Sequence, residues 1–410
     1  MIYLDYAAAT PLDPKVQKAM LPYFSDAFFN PSAIYLPANA VRRAYTQAKA
    51  DIAHIIGAKG TDLVITAGAT ESINLAFTAA DPRGTVLISG VEHSAVLENA
   101  KRFKTYQVLK VDQDGVVDLA DFEAKLNPQV TFVSVCAASS ELGSIEPIAK
   151  IGQLIQAERA RRARSKNALP LFFHCDASQG LGLIDLKINR LGVDLLTLNA
   201  GKVYGPKGIG ALYVGHRVPV HALIVGGGQE NALRSGTENV PAVIGFAKAV
   251  QLAEKHRAQN LKHFRLLKSN FRALWADFPG VVFLGNPKTQ LSNFSPLAFP
   301  GLDAERLIFA LEEQGIYLST GAACAARKGK ASSTLLATGL ADEIITGSLR
   351  ITFGRATRLE DLRAATLALR QAVLAERARL KAANQLAQTT LLVPTSSRLK
   401  QKKLGQKHAS

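Results

Sequence analysis

Residues 193–215 read VDLLTLNAGKVYGPKGIGALYVG. The run VDLLTL (193–198) is apolar at successive positions, the pattern of a strand buried on both faces. A second apolar run, GALYVG (210–215), follows through the glycine-rich GKVYGPKGIG. That connection is too short for a crossover helix, so the second strand is predicted to run antiparallel to the first. Four further runs lie upstream: DLVIT (62–66), TVLIS (85–89), VTFVSVC (130–136) and PLFFHCD (170–176). Helical stretches separate them, at ESINLAFTAA (71–80), SAVLENAKRF (94–103) and EPIAKIGQLIQAERARRAR (146–164). Strands alternating with helices predict an α/β fold with a large, mostly parallel sheet.

Beyond residue 215 the pattern changes. One long helical region is predicted over 241–278, containing the single tryptophan, Trp275. A smaller α/β set follows: VVFLG (281–285), SNFSPL (292–297), AERLIFALEEQ (304–314), YLST (317–320) and SLRITFG (348–354), then a last helix over 359–388. The reading is a large domain over 1–250, a small C-terminal domain over 251–390, and a basic, disordered tail over 391–410. The first ~15 residues are expected to pack on the small domain.

The 410 residues are 48% hydrophobic and 20% charged, which excludes a wholly disordered chain. No apolar stretch reaches the ~18 residues of a spanning helix, so no membrane partner is expected. Cys136, Cys175 and Cys324 show no CxxC spacing, so neither a disulfide framework nor a metal site is expected. The opening MIYLDYAAATP lacks a basic run before an apolar block, and the expected location is cytoplasmic. Net charge is +16, and the last twenty residues carry five basic groups and no acid. A second basic patch, ERARRARSK (158–166), is read as a solvated helix face. Aromatic residues are not interleaved with these charges, which leaves nucleic-acid binding only through the basic tail.

Three local patterns carry chemistry. In TAGATESINLA (66–76), Gly68, Ala69 and Thr70 lead from a strand into a helix, an anion site or a bare turn. In HCDASQG (174–180), Asp176 ends an apolar strand, where a carboxylate pairs with a buried cationic nitrogen or caps a helix. Lys202 follows the strand of 193–198, as a Schiff-base nucleophile or a surface lysine in a glycine turn. Together, a phosphate cup, an aspartate and a lysine are the three parts of a pyridoxal 5'-phosphate site.

Their order resembles the class V aminotransferases among the fold-type-I pyridoxal phosphate enzymes. The resemblance extends through LDYAAATPLDP (4–14), FNPSAIY (29–35), EHSAVL (92–97), SELGSIEPI (140–148), GGGQENALRSGTEN (226–239), LSTGAACA (318–325) and LRITFGRAT (349–357). It covers about residues 2 to 380 and points to the cysteine desulfurase branch, with an aspartate-aminotransferase-like fold. By that resemblance Lys202 is the Schiff-base lysine, Asp176 the pyridinium partner, His93 the residue stacked on the ring, and Gln179 the group near its phenolic oxygen. Ala69 and Thr70 match the phosphate cup, and Thr237 a threonine reaching the partner subunit's phosphate in a homodimer. Arg350 matches the arginine that binds the substrate carboxylate, a task suited to a planar guanidinium. Cys324 matches the cysteine that receives sulfur from L-cysteine as a persulfide, in a loop where Arg327, Lys328 and Lys330 favour thiolate. The implied partners are L-cysteine and a sulfur-acceptor or iron–sulfur scaffold protein, with iron–sulfur cluster assembly or tRNA thiolation as the use. Cys136 and Cys175 are assigned to packing.

The sequence departs from the family pattern at three places. Asn199-Ala200-Gly201-Lys202 replaces the usual Ser-Gly-His-Lys, so Asn199 keeps a side-chain donor and Gly201 has only its backbone. Ser139-Ser140-Glu141 replaces Asn-Asn-Glu, leaving Ser140 a shorter reach to the cofactor. Tyr35 replaces a histidine. Each lost bond to a charged group costs about 1.5–3 kcal/mol. The rival readings are a related pyridoxal phosphate lyase or aminotransferase, such as a selenocysteine lyase, and a low-activity binding dimer.

Overall fold

The computed structural model describes residues 1–164, 169–321 and 332–391. Seven strands form the large sheet, in the spatial order Leu63–Thr66, Gly210–Val214, Leu195–Asn199, Phe172–Asp176, Val130–Ser134, Thr85–Ser89, Tyr106–Leu109. All five apolar runs upstream of residue 200 are strands, and Gly210–Val214 is antiparallel to both its neighbours. Tyr106–Leu109 was not anticipated: it is an edge strand with only Leu109 buried, so it carries no continuous apolar run.

The unbroken apolar runs have a structural cause. Leu63, Ile65, Val133, Phe173, Leu196 and Leu198 pack on one face of the sheet, with the helices Leu36–Ile56, Ile148–Arg162 and Val240–Lys255. Val64, Val86, Ile88, Phe132, Leu195 and Leu212 pack on the other face, with the helices Ala69–Phe77 and Ser94–Ala100. Successive side chains point to opposite faces, and both faces are covered, so apolar residues dominate at successive positions, while buried polar ones such as Ser134, His174 and Thr197 hydrogen-bond to one another.

Parallelism brings the functional turns together. Leu63–Thr66 and Leu195–Asn199 are each antiparallel to Gly210–Val214, and so are parallel to one another. Their carboxyl ends therefore share one edge with those of Thr85–Ser89, Val130–Ser134 and Phe172–Asp176. Gly210 pairs with both Thr66 and Asn199, so the turn at Gly68 lies two strands from the turn at Lys202.

The predicted helix over 241–278 is two helices, Val240–Lys255 and Arg257–Ala273, broken at His256. The first packs on the large core, while Phe264, Leu267 and Phe271 of the second belong to a separate core with Trp275, Phe299 and Phe353. Trp275 lies just past the helix end and stacks edge-on against Phe271 and Phe278. Leu4 packs into this second core, and Ile2–Tyr3 pairs in parallel with Ile316–Tyr317. A four-stranded antiparallel sheet, Ser319–Thr320, Ser348–Arg350, Leu297–Ala298 and Val282–Phe283, completes the unit. Its strands are shorter than the apolar runs suggest. Past Arg350 the backbone bonds instead to Leu4 and Asn293, through Thr352 and Phe353.

One patch was misread. Within 158–166, Arg162 is 6% exposed and donates to the carbonyls of Asn127, Val130 and Leu169. Glu158 is buried and accepts from both Arg161 and Arg162. Arg159 ties Leu171 O to Asp194. Arg159 and Arg162 of this basic run are structural fastening, invisible as such because their carbonyl partners are distant or non-periodic in sequence, while Arg161 and Arg164 are exposed as expected. Among the described residues no helix is long and apolar enough to cross a membrane.

Candidate active site

The site is built from turns at that shared edge. After Thr66 the chain turns at Gly68, whose φ of 142° favours glycine, and enters the helix Ala69–Phe77. Ala69 and Thr70 occupy its first turn, where unpaired N–H groups point outward as an anion site. A Cβ on Gly68 would meet nothing within 4 Å, so the turn is open. Thr66 Oγ1 and Ser72 Oγ lie 2.7 Å apart and close it from beneath.

Asp176 ends the strand Phe172–Asp176 and is 7% exposed. Its Oδ1 accepts from Ser178 N–H at 2.9 Å and Ser178 Oγ–H at 2.6 Å. Both bonds fall on one oxygen, which locks the carboxylate and leaves Oδ2 for a cationic donor. The helix-cap reading is half met: the bonding is that of a cap, but residues 178–183 form turns. Behind it His174 is buried between Ser134 Oγ and Thr197 Oγ1, each at 2.9 Å. Burial holds its pKa down at about 4, so the ring is neutral.

His93 caps the helix Ser94–Ala100, with Nδ1 accepting from Ala95 N–H at 3.1 Å. That bond places the proton of the neutral ring on Nε2. Desolvation lowers its pKa below the ordinary histidine value, Lys202 and Arg350 push the same way, and Asp176 opposes them. These four side chains are thus within electrostatic reach of one another.

Asn199 caps the short turn Ala200–Lys202 by accepting from Gly201 N–H at 3.0 Å. Its Oδ1 is therefore committed to the lysine loop. A Cβ on Gly201 would meet only ordinary contacts, 3.5 Å to Asn199 Oδ1 and 3.9 Å to Lys207 Cγ. Lys202 Nζ donates to Ala7 O and Ala8 O, each at 2.7 Å. Gln179 Nε2 also donates to Ala7 O, at 3.0 Å. Arg350, at the end of the strand Ser348–Arg350, donates through Nη1 to Ser140 O at 3.1 Å and through Nη2 to Asp5 Oδ1 at 2.8 Å.

Lys202, Gln179, Asp176, His93, Ser140 and Arg350 are thus linked through shared partners or mutual fields. Thr237 stands apart, exposed in the loop before Val240–Lys255. Its loop is tethered to the anion turn, because Arg234 and Glu71 pair at 3.0 Å. Cys324 lies outside the described residues. Cys136 and Cys175 are buried, and desolvation pushes both thiols well above the usual range, so neither is a thiolate.

Sequence reasoning missed two features. The segment Asp5–Ala8 forms a wall of the site through Arg350, Lys202 and Gln179; LDYAAATP was noticed, but no chemistry-bearing spacing marks its carbonyls as acceptors. Glu141 accepts from Ser332, the cap of the helix Ser333–Ala337, and burial pushes its pKa up to about 7 although Ser332, Arg350 and Thr334 lower it. Its signal was present, as an acid directly after Ser140 in a strand-end loop.

The donor set suits pyridoxal phosphate. An open helix N-terminus fits a phosphate, the uncommitted Asp176 oxygen a protonated pyridine, and a lysine at a strand end an aldehyde.

The comparisons with known proteins agree. The model of the aminotransferase class-V family matches residues 2–364. Cysteine desulfurase IscS 1 of Archaeoglobus fulgidus is 35% identical over 371 residues, covering 88% of this chain and 94% of that protein. The structure of a NifS-like protein superposes with a TM-score of 0.83 at 28% identity, covering 91% of this chain and 99% of the other. SspA in complex with cysteine superposes with a TM-score of 0.72 at 30% identity, covering 86% and 99%. The fold is accordingly that of the fold-type-I pyridoxal phosphate enzymes. With 35% identity sustained across nearly the whole of a cysteine desulfurase, this chain belongs to the class-V aminotransferase family, in its cysteine desulfurase branch.

Proposed function

We propose that this protein is a pyridoxal phosphate-dependent cysteine desulfurase, which converts L-cysteine to L-alanine and holds the sulfur as a persulfide on Cys324. The observation that carries the reading is the convergence of Lys202, Asp176, His93 and Arg350 on one sheet edge beside an open helix N-terminus. Pyridoxal phosphate, when bound, supplies an electron sink for bond changes at the amino acid's Cα.

The chain's own residues then divide the work. Ala69 and Thr70 hold the phosphate, with Asn199 and the exposed Thr237 of a partner subunit as further donors. Asp176 Oδ2 would hold the protonated pyridine nitrogen, while Oδ1 stays committed to Ser178. His93 would cover the ring, and Gln179 and Ser140 would serve the side of its phenolic oxygen. Lys202 anchors the cofactor and, once released, moves the Cα proton. Arg350 orients the substrate by its carboxylate. Cys324, as thiolate, attacks the substrate sulfur; the carbon–sulfur bond breaks, alanine departs, and the outer sulfur remains on Cys324 for an acceptor or iron–sulfur scaffold protein. We read the chain as a large unit over 1–250 holding the cofactor and a small unit over 251–390 bearing the cysteine loop.

The test is sulfide release from L-cysteine, with added cofactor and a reductant, in wild type, Lys202→Ala and Cys324→Ala. Turnover by wild type with both variants inert is the expected result. Full activity in Cys324→Ala replaces the desulfurase with a lyase.

A further inference from the structure

Asp5 pairs with Arg350, the residue proposed above to bind the substrate carboxylate. Its Oδ1 accepts from Arg350 Nη2 at 2.8 Å, with the two side chains 17% and 8% exposed. Arg350 Nη1 is occupied by Ser140 O. Arg350 Nε is buried and donates to no acceptor among the described residues. A buried donor left unpaired is costly, which points to a ligand that completes the guanidinium. A carboxylate spanning Nε and Nη2 would do so by the bidentate fit that guanidinium favours, and Nη2 is the nitrogen Asp5 now engages.

The position of Asp5 is set by the backbone, not by chance side-chain reach. Asp5 forms a parallel bridge with Thr352, two residues beyond Arg350. Tyr3 Oη donates to Asp5 O at 2.8 Å and to Ala9 O at 3.0 Å. Ala7 N–H donates to Thr352 Oγ1 at 3.0 Å. The same fixed segment supplies the carbonyls that take Lys202 Nζ.

We infer that Asp5 is a built-in counter-anion of Arg350, with which the carboxylate of an incoming amino acid competes, so that Asp5 sets affinity for carboxylate-bearing ligands. This rests on the proposed function only in taking Arg350 as the carboxylate site. Asp5 keeps the guanidinium ordered and locally neutral in the free enzyme. An arriving carboxylate shares the cation with it and meets its repulsion. Without that charge the cation would bind anions more strongly, since Coulomb energies are large at these separations and low accessibility.

Asp5→Asn is the decisive variant, because the amide oxygen can still accept from Nη2 while the charge is gone. Binding is measured on the cofactor-loaded protein by calorimetry, with L-alanine and with L-alaninamide, which lacks the carboxylate. Asp5→Asn is expected to tighten L-alanine roughly three- to tenfold, to leave L-alaninamide within twofold, and to lower KM for L-cysteine in step. Unchanged or weakened L-alanine binding in a variant with the wild-type melting temperature overturns the role, as does an equal shift for both probes. A wild type that binds L-alanine but releases no sulfide from L-cysteine refutes the desulfurase reading, and Asp5 is still judged by the same two affinities. A wild type that binds neither probe refutes both.

Discussion

Glu146 shows how burial converts one side chain into a pH response. It is 4% exposed, and its Oε2 accepts from Val117 N–H at 2.9 Å while Oε1 has no partner among the described residues. Burial pushes its pKa up to about 8. The ordinary glutamate value, about 4.3, applies once the chain unfolds. Between these values the folded state binds more protons than the unfolded state, so stability falls as pH rises and levels off above pH 8. Glu146→Gln removes that slope, which is at most about 1.4 kcal/mol per pH unit. Urea midpoints at pH 5 and pH 8 should therefore diverge more in wild type than in Glu146→Gln. Parallel midpoints in the two proteins would show that Glu146 does not titrate in this window. The acid itself was visible in SELGSIEPI; its burial was not, because the covering residues are remote in sequence. Lys202 and Asp176, by contrast, were legible as candidates, since a charged residue at the end of an apolar run is a local pattern. Which role each plays needed neighbours: Asp176 has one oxygen committed to Ser178, a fact of three-dimensional bonding.

At the scale of elements, the anion turn depends on a strand with no side chain at its start. A Cβ on Gly210 would lie 2.7 Å from Leu198 O and 2.8 Å from the Gly68 backbone. Contacts this short with backbone atoms force a shift, and one of the two sides pressed is the turn at Gly68–Thr70. Gly210→Ala is thus expected to weaken pyridoxal phosphate binding tenfold or more, by displacing donors that must be placed within about half an ångström. Cofactor titration followed by absorbance measures it, and an unchanged affinity would mean the strand yields instead. Elements themselves were read unevenly. The strands were plain because burial on both faces makes their runs mostly apolar. The helix Leu36–Ile56 was passed over, although Val41, Tyr45, Ala48, Ile52 and Ile56 repeat at helical spacing. The break at His256 was hidden because both flanking segments are helical and only their packing partners differ.

At the scale of the molecule, one feature of the isolated chain points outward. Leu223, Ile224 and Val225 are exposed, Val225 at 82%, immediately before the glycine loop that leads to Thr237. An apolar run on the surface beside a site donor fits a partner subunit. The homodimer we propose would cover it. Sedimentation should give twice the monomer mass for wild type and a shift toward monomer for Val225→Asp, with weaker cofactor binding in the variant. A wild-type monomer that binds cofactor fully would remove Thr237 from the site.

The alternating α/β architecture, the antiparallel strand after the lysine loop and the family were all legible in the residues alone. These follow from hydrophobic period, loop length and ordered motifs, all local along the chain. Tertiary structure decided what the N-terminal segment does. Asp5, Ala7 and Ala8 reach Arg350 and Lys202 only because Leu4 packs in the small core and Asp5 bridges Thr352. Partners nearly 350 and 200 positions away leave no period or spacing to read, since a backbone carbonyl accepts a hydrogen bond whatever its side chain is.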